Sequence, residues 1–147
     1  IKPRETAFRC DGDPLADIRL LEVLKALLQV EKDSGSPLHD LVTGQKLEIL
    51  LHNDPYQCSP GDSMELTVLF ENRPLAHKWV TAYRCAPDQE ALSEQVEKTD
   101  SQGRAAFTID GAGLWMIRLV HIYPVTDVMD GMDWESYWSS YCFDIKG

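Results

Sequence analysis

The chain is short of positive charge, with 14 Lys+Arg against 24 Asp+Glu in 147 residues and a formal net charge of −10. That balance repels a phosphate backbone or an anionic lipid surface at long range, so nucleic acid is not an expected partner. Long apolar runs are missing too. The richest stretch, "IRLLEVLKALLQV", is interrupted by Arg19, Glu22 and Lys25, and nothing approaches the ~18 apolar residues of a spanning helix. Membrane insertion by this chain is therefore not expected. No serine sits in a G-x-S-x-G elbow, and neither G-x-G-x-x-G nor G-x-x-x-x-G-K-[ST] occurs. The first absence removes a hydrolase nucleophile and the other two remove a phosphate cradle. No enzyme activity and no organic cofactor are expected.

Cysteine is sparse and scattered. Cys10, Cys58, Cys85 and Cys142 form no C-x-x-C pair, so neither a zinc knuckle nor a redox motif is written here. The four can pair in an oxidising compartment or serve as small buried hydrophobes. The first residue is Ile1, and a signal peptide or other upstream segment is expected to precede it.

The residues that are present divide at Gly44. Asp13-Pro14 reads as a helix start, with an N-cap side chain followed by proline at the first helical position. Ile18, Leu21, Leu24 and Leu28 recur at three- and four-residue steps, which predicts an amphipathic helix from about residue 15 to 31 with Glu22 and Lys25 facing water. Gly35, Pro37 and Gly44 then mark a linker. The expected organisation is an N-terminal segment, residues 1–44, carrying that helix, followed by a β-sandwich domain over residues 45–147. The helix is expected to pack against the sandwich.

Beyond Gly44 the period changes from 3.6 to 2, with turn residues every eight to twelve positions, the pattern of an antiparallel sandwich. Leu47, Ile49 and Leu51 share a face, and after the "SPGD" turn so do Met64, Leu66, Val68 and Phe70. Trp79 to Arg84 reads as a strand and Ser93 to Glu97 as a polar edge. Ala105, Phe107 and Ile109 form another inward set. Trp115, Ile117, Leu119 and His121 line one side of the longest strand, with Arg118 on the other. The fold class is mainly β, a sandwich of about seven antiparallel strands.

The aromatic stretch "MDWESYWSSYCF" then has to serve as a core strand or as a ligand surface. In extended form Tyr137, Ser139, Tyr141, Phe143 and Ile145 face one way, and Trp138, Ser140, Cys142 and Asp144 the other. The Tyr/Phe/Ile side is the more apolar and is expected to close the core. Trp134 and Trp138 remain as candidates for a ligand or partner surface.

The stretches "GQKLEILLHNDPY", "VLFENRPLAHKWVTAY", "TDSQGRAAFTI", "GLWMIRLVHI" and "DWESYWSSYCFDI" together resemble an uncharacterised exported bacterial family, over roughly residues 15 to 145. Its members are commonly described as NikM-like, or as the periplasmic component of a cobalt or nickel uptake system. The resemblance implies an immunoglobulin-like or transthyretin-like sandwich, a periplasmic or cell-surface location, and a transport-system or cell-envelope protein as partner. Members also carry a β-rich portion upstream. Tyr141-Cys142 and His77-Lys78 depart from the family pattern, which has small or hydroxyl residues there.

Among the four histidines, His121 draws attention because strand parity turns it inward just before the acidic loop "DVMDGMDWE". Imidazole nitrogen with carboxylate oxygen suits a divalent nickel, cobalt or zinc ion. His121, His52, Asp133 and Glu135 are the candidate metal ligands, with Asp127 and Asp130 as further oxygens. The spacing is not that of a calcium loop. In the alternative, Asp133 and Glu135 cap the turn into the last strand. The expected role is a non-catalytic exported binding or accessory module associated with transition-metal uptake, or else a structural or protein-interaction sandwich with no small ligand.

Overall fold

The every-second-residue alternation becomes two packed sheets in the computed structural model, which describes residues 4–9, 17–28, 38–87, 92–126 and 133–146. The six-stranded sheet contains β1 (Arg4–Arg9), β2 (Asp17–Ala26), β6 (Trp79–Cys85), β7 (Leu92–Lys98), β9 (Gly113–Pro124) and β10 (Trp134–Ile145), in the order β1-β2-β10-β9-β6-β7. The four-stranded sheet is built on β4 (Ser63–Phe70). β3 (Leu47–Leu51) lies along one side of β4, and β5 (Arg73–Pro74) and β8 (Arg104–Thr108) follow one another along the other.

The inner faces are those the alternation predicts. Leu47, Ile49, Leu51, Met64, Leu66, Val68, Phe107 and Ile109 on one sheet meet Val80, Trp115, Ile117, Leu119, Tyr141, Phe143 and Ile145 on the other, all buried. The dense aromatics of β10 are therefore mainly core: Trp115 and Phe143 stack with ring planes 2° apart, and Tyr141 donates its hydroxyl to the His39 carbonyl at 3.2 Å. Residues 71 and 72, both at positive φ, form a two-residue hairpin loop between β4 and β5, the turn whose twist matches its strands. Position 113 requires glycine on two counts: its φ is +130°, and a Cβ there would run into the Cys85 carbonyl.

The N-terminal helix is the main correction. Residues 17–26 form a strand that runs parallel to β10, pairing Ile18 with Trp134 and Ala26 with Cys142. The spacing of Leu21 and Leu24 satisfies a helix locally. β10, however, already paired to β9 on one side, presents a second edge of unpaired backbone groups that β2 satisfies, and such pairing outweighs local propensity. Leu21 turns inward and is buried, while Leu24 turns outward and is 60% exposed.

Two further expectations change with it. The six-stranded sheet takes β1 and β2 from before residue 44 and its other four strands from after it. The sandwich exceeds the seven strands expected, and its β2–β10 pair is parallel rather than antiparallel. Of the expected linker, residues 43 and 44 are tied down although the segment is largely exposed: the buried Glu48 carboxylate accepts from the Thr43 and Gly44 amides and from the Thr43 hydroxyl. Asp13-Pro14, Gly35 and Pro37 lie outside the described residues.

Cys58, Cys85 and Cys142 carry free thiols. Cys85 is exposed and Cys142 half-buried. Cys10 lies outside the described residues. Among those described, no helix is long and apolar enough to cross a membrane.

Candidate functional site

One end of the sandwich holds more ionisable and aromatic groups than closing a core requires. Lys46 immediately precedes β3, and its carbonyl accepts from the Glu71 amide at 2.8 Å, which continues the β3–β4 ladder by one pair. Phe70 ends β4, Tyr123 lies near the end of β9, and Glu135 and Tyr137 share the inward parity of β10. Antiparallel register sets Glu135 opposite Tyr123 and Tyr137 opposite His121.

These positions enclose the Lys46 ammonium. Its Nζ lies 4.9 Å from the Tyr137 ring centroid, 5.2 Å from Tyr123 and 5.8 Å from Phe70, all within cation–π range. The ammonium donates to the Tyr123 hydroxyl at 2.6 Å. Tyr123 in turn donates to Glu135, and Tyr137 donates to the same carboxylate oxygen at 3.1 Å. Glu71 and Glu135 each stand 3.5 Å from Nζ. Phe70 is the hub of the rings, edge-on to His121, Tyr123 and Tyr137.

The environment shifts the protonation of these groups. Burial pushes the Glu135 carboxyl up, but the tyrosine hydroxyls and the ammonium outweigh it and hold its pKa below the ordinary carboxylate value. Burial would also favour a neutral Lys46, yet its partners raise its pKa and keep it charged. Tyr123 is pushed up by burial and by the neighbouring carboxylate, so it remains a phenol. His121 is pushed down by burial and, secondarily, by Lys78, and its buried Nδ1 has no hydrogen-bond partner among the described residues. A cavity of about 300 Å³ adjoins the cluster, walled by Glu22, Val23, Leu24 and Thr43 to Lys46, with Tyr137 also lining it.

The four expected metal ligands are not brought together. His121 is inward and buried as parity predicts, and Glu135 lies within the same cluster. Asp133 is exposed beyond the start of β10, its carbonyl accepting from the Val125 amide at 2.9 Å. His52 is at the other end of the β3–β4 ladder: its amide donates to the Glu65 carbonyl and its Nε2 lies 2.6 Å from the Thr67 hydroxyl. His121 instead packs on Phe70, which pairs with Leu47. Among the described residues no three His, Cys, Asp or Glu side chains gather as a metal site, and the ammonium at Glu135 opposes a second cation there. This donor set does not fit the expected nickel, cobalt or zinc ion. Asp127 and Asp130 lie outside the described residues.

Trp134 and Trp138 occupy the outer face of the six-stranded sheet, away from the cluster. The Trp138 indole donates to Ser136 Oγ at 2.9 Å, and the Arg118 guanidinium covers its ring at 4.4 Å. Trp134 is exposed. Sequence reasoning missed Lys46, Tyr123 and Tyr137 as a site. The one available signal was the shared parity of Glu135 and Tyr137, a carboxylate two residues before an inward tyrosine.

A family model described as "Domain of unknown function (DUF4198)" matches residues 4–123. The chain belongs to that family. The DUF4198 match takes in Lys46, Phe70, His121 and Tyr123, and ends before β10 supplies Glu135 and Tyr137. No curated protein and no solved structure matches the chain.

Proposed function

We propose that this DUF4198 chain is a non-catalytic binding module of the cell envelope that holds its ligand at the Lys46 end of the sandwich. The observation that carries the reading is the enclosure of a charged ammonium and a carboxylate by three aromatic rings beside an open cavity. Ordering charges among rings gives a core little that leucines would not, whereas the same chemistry recognises small polar ligands well. The resemblance to exported proteins supports a periplasmic or cell-surface setting, an immunoglobulin-like or transthyretin-like classification of the sandwich, and a transport-system or envelope protein as neighbour. Cys58 and Cys142 do not argue for a redox role, since burial pushes both thiols up and away from the reactive thiolate.

The test is a thermal-shift screen of small cations, amino acids, sugars and divalent nickel, cobalt and zinc. A ligand of the folded state raises the melting temperature as RT ln(1+[L]/Kd), and one that uses this site loses its effect in Tyr137→Ala. A metal acting through His121 loses its effect in His121→Ala. If every compound leaves the melting temperature unchanged, the module has no small ligand.

In that case a protein-interaction domain is the reading to keep. It is favoured by exposed apolar side chains on the outer face of the six-stranded sheet, where Trp79, Leu24, Ile122 and Trp134 stand out.

A further inference from the structure

We infer that the Lys46 end of the sandwich is a binding site for an organic ammonium group, and that Lys46 is its internal occupant, which must swing out before a ligand enters. The inference rests on the site reading above and adds the ligand's chemistry and the gate.

Ring faces carry negative potential, and three of them meet around Nζ at 4.9 to 5.8 Å. That arrangement selects a cation, and a carboxylate at one wall selects it further. The charge around the site has the same sign. Glu135 and Glu71 flank the ammonium, so two carboxylates face one lysine, and Glu22 lines the adjoining cavity. Once Lys46 leaves, those two carboxylates face the vacated space, with the His121 imidazole behind Phe70.

The choice of an organic cation over a metal ion follows from the donors. Three rings and two phenol hydroxyls suit the diffuse charge and apolar surface of an alkylated or primary ammonium. A transition metal needs several convergent nitrogen or carboxylate ligands, and among the described residues these do not converge.

An exit for Lys46 exists. Its side chain is 36% exposed, and it borders the roughly 300 Å³ cavity along with Thr43, Gly44 and Gln45. The backbone need not move, because the Lys46 carbonyl stays bonded to the Glu71 amide while the four-carbon stem rotates. His121 Nδ1, buried without a partner among the described residues, leaves a polar atom behind the rings that Lys46 does not satisfy.

Internal occupancy weakens apparent affinity by the fraction of molecules in which the lysine is out. Deleting the lysine side chain should therefore reveal the site. The experiment is calorimetric titration of choline, and of its uncharged analogue with a tert-butyl group in place of the trimethylammonium, into the wild-type chain, Lys46→Ala, and Lys46→Ala combined with Glu135→Gln. Glu135→Gln alone, which is near-isosteric, is titrated as well and should bind choline more weakly than wild type, so the test holds if the Lys46 truncation disturbs the fold.

The expected result is that Lys46→Ala binds choline roughly tenfold or more tightly than wild type, prefers it to the uncharged analogue, and loses affinity when Glu135→Gln is added. Equal binding of choline and the analogue would overturn the ammonium chemistry while leaving a ligand site in place. Binding of neither by Lys46→Ala, in a protein with unchanged near-ultraviolet dichroism, would overturn the inference. A blank ligand screen of the wild type as well would remove the site reading beneath it.

Discussion

Lys25 Nζ stands 2.8 Å from Glu48 Oε1 at the seam where the two sheets meet, with the glutamate side chain fully buried and the lysine nearly so. The same ammonium donates to the Ile49 and Leu41 carbonyls. Ladder alternation turns the Ile49 carbonyl away from β4, toward the open edge of β3. One side chain from β2 thus caps the open edge of β3 and neutralises the carboxylate that holds residues 43 and 44.

Lys25→Met should therefore be strongly destabilising, by about 3–5 kcal/mol, because it leaves Glu48 buried without its counter-charge. Urea unfolding should show a lower midpoint with an unchanged slope. A loss below about 1 kcal/mol would mean that the pair behaves like a solvated surface bridge.

Stability should fall with acidification in two separable stages. His121 is held below its ordinary value of 6.5, first by burial and then by Lys78. Below pH 6.5 the unfolded chain takes up a proton that the folded chain resists, so stability declines from there toward the folded pKa. Glu48 and Glu135 are pushed up by burial, but the donors around them hold both below their ordinary 4.5. Their contribution is complete above pH 4.5 and is lost as the pH drops further. Unfolding measured across this range should lose its upper stage in His121→Gln and keep its lower one.

The two faces of β10 should respond very differently to truncation. Phe143 is 2% exposed and stacked on Trp115, whereas Trp134 is 39% exposed on the outer face. Phe143→Ala should cost about 3–5 kcal/mol and Trp134→Ala within about 0.5 kcal/mol. Comparable losses at both positions would put the outer face in contact with something the fold does not supply.

The strands β3, β4, β6, β8, β9 and β10 were legible because each turns an apolar face inward, and a period of two then fixes every side chain's direction. Leu66, Ile117 and Tyr141 all lie where alternation puts them. Residues 17–26 were not legible in the same way. Ile18, Leu21 and Leu24 satisfy a helical stripe, and what decides for a strand is the free edge of β10, more than a hundred residues away. The site was hidden for a related reason. Lys46 and Tyr123 are 77 positions apart, and a lone lysine ahead of a strand reads as a solvated charge until the β3–β4 and β9–β10 ladders place rings around it. His121 was read inward correctly, but its neighbours are aromatic rather than acidic.

The most direct test of the account is the proton resonance of the Lys46 ε-methylene. A group enclosed by the Phe70, Tyr123 and Tyr137 rings should resonate well upfield of a solvated lysine, and should return toward the solvated position as choline is titrated into the wild-type protein. A Lys46 signal at the solvated position before any ligand is added would contradict the enclosure, and with it the site.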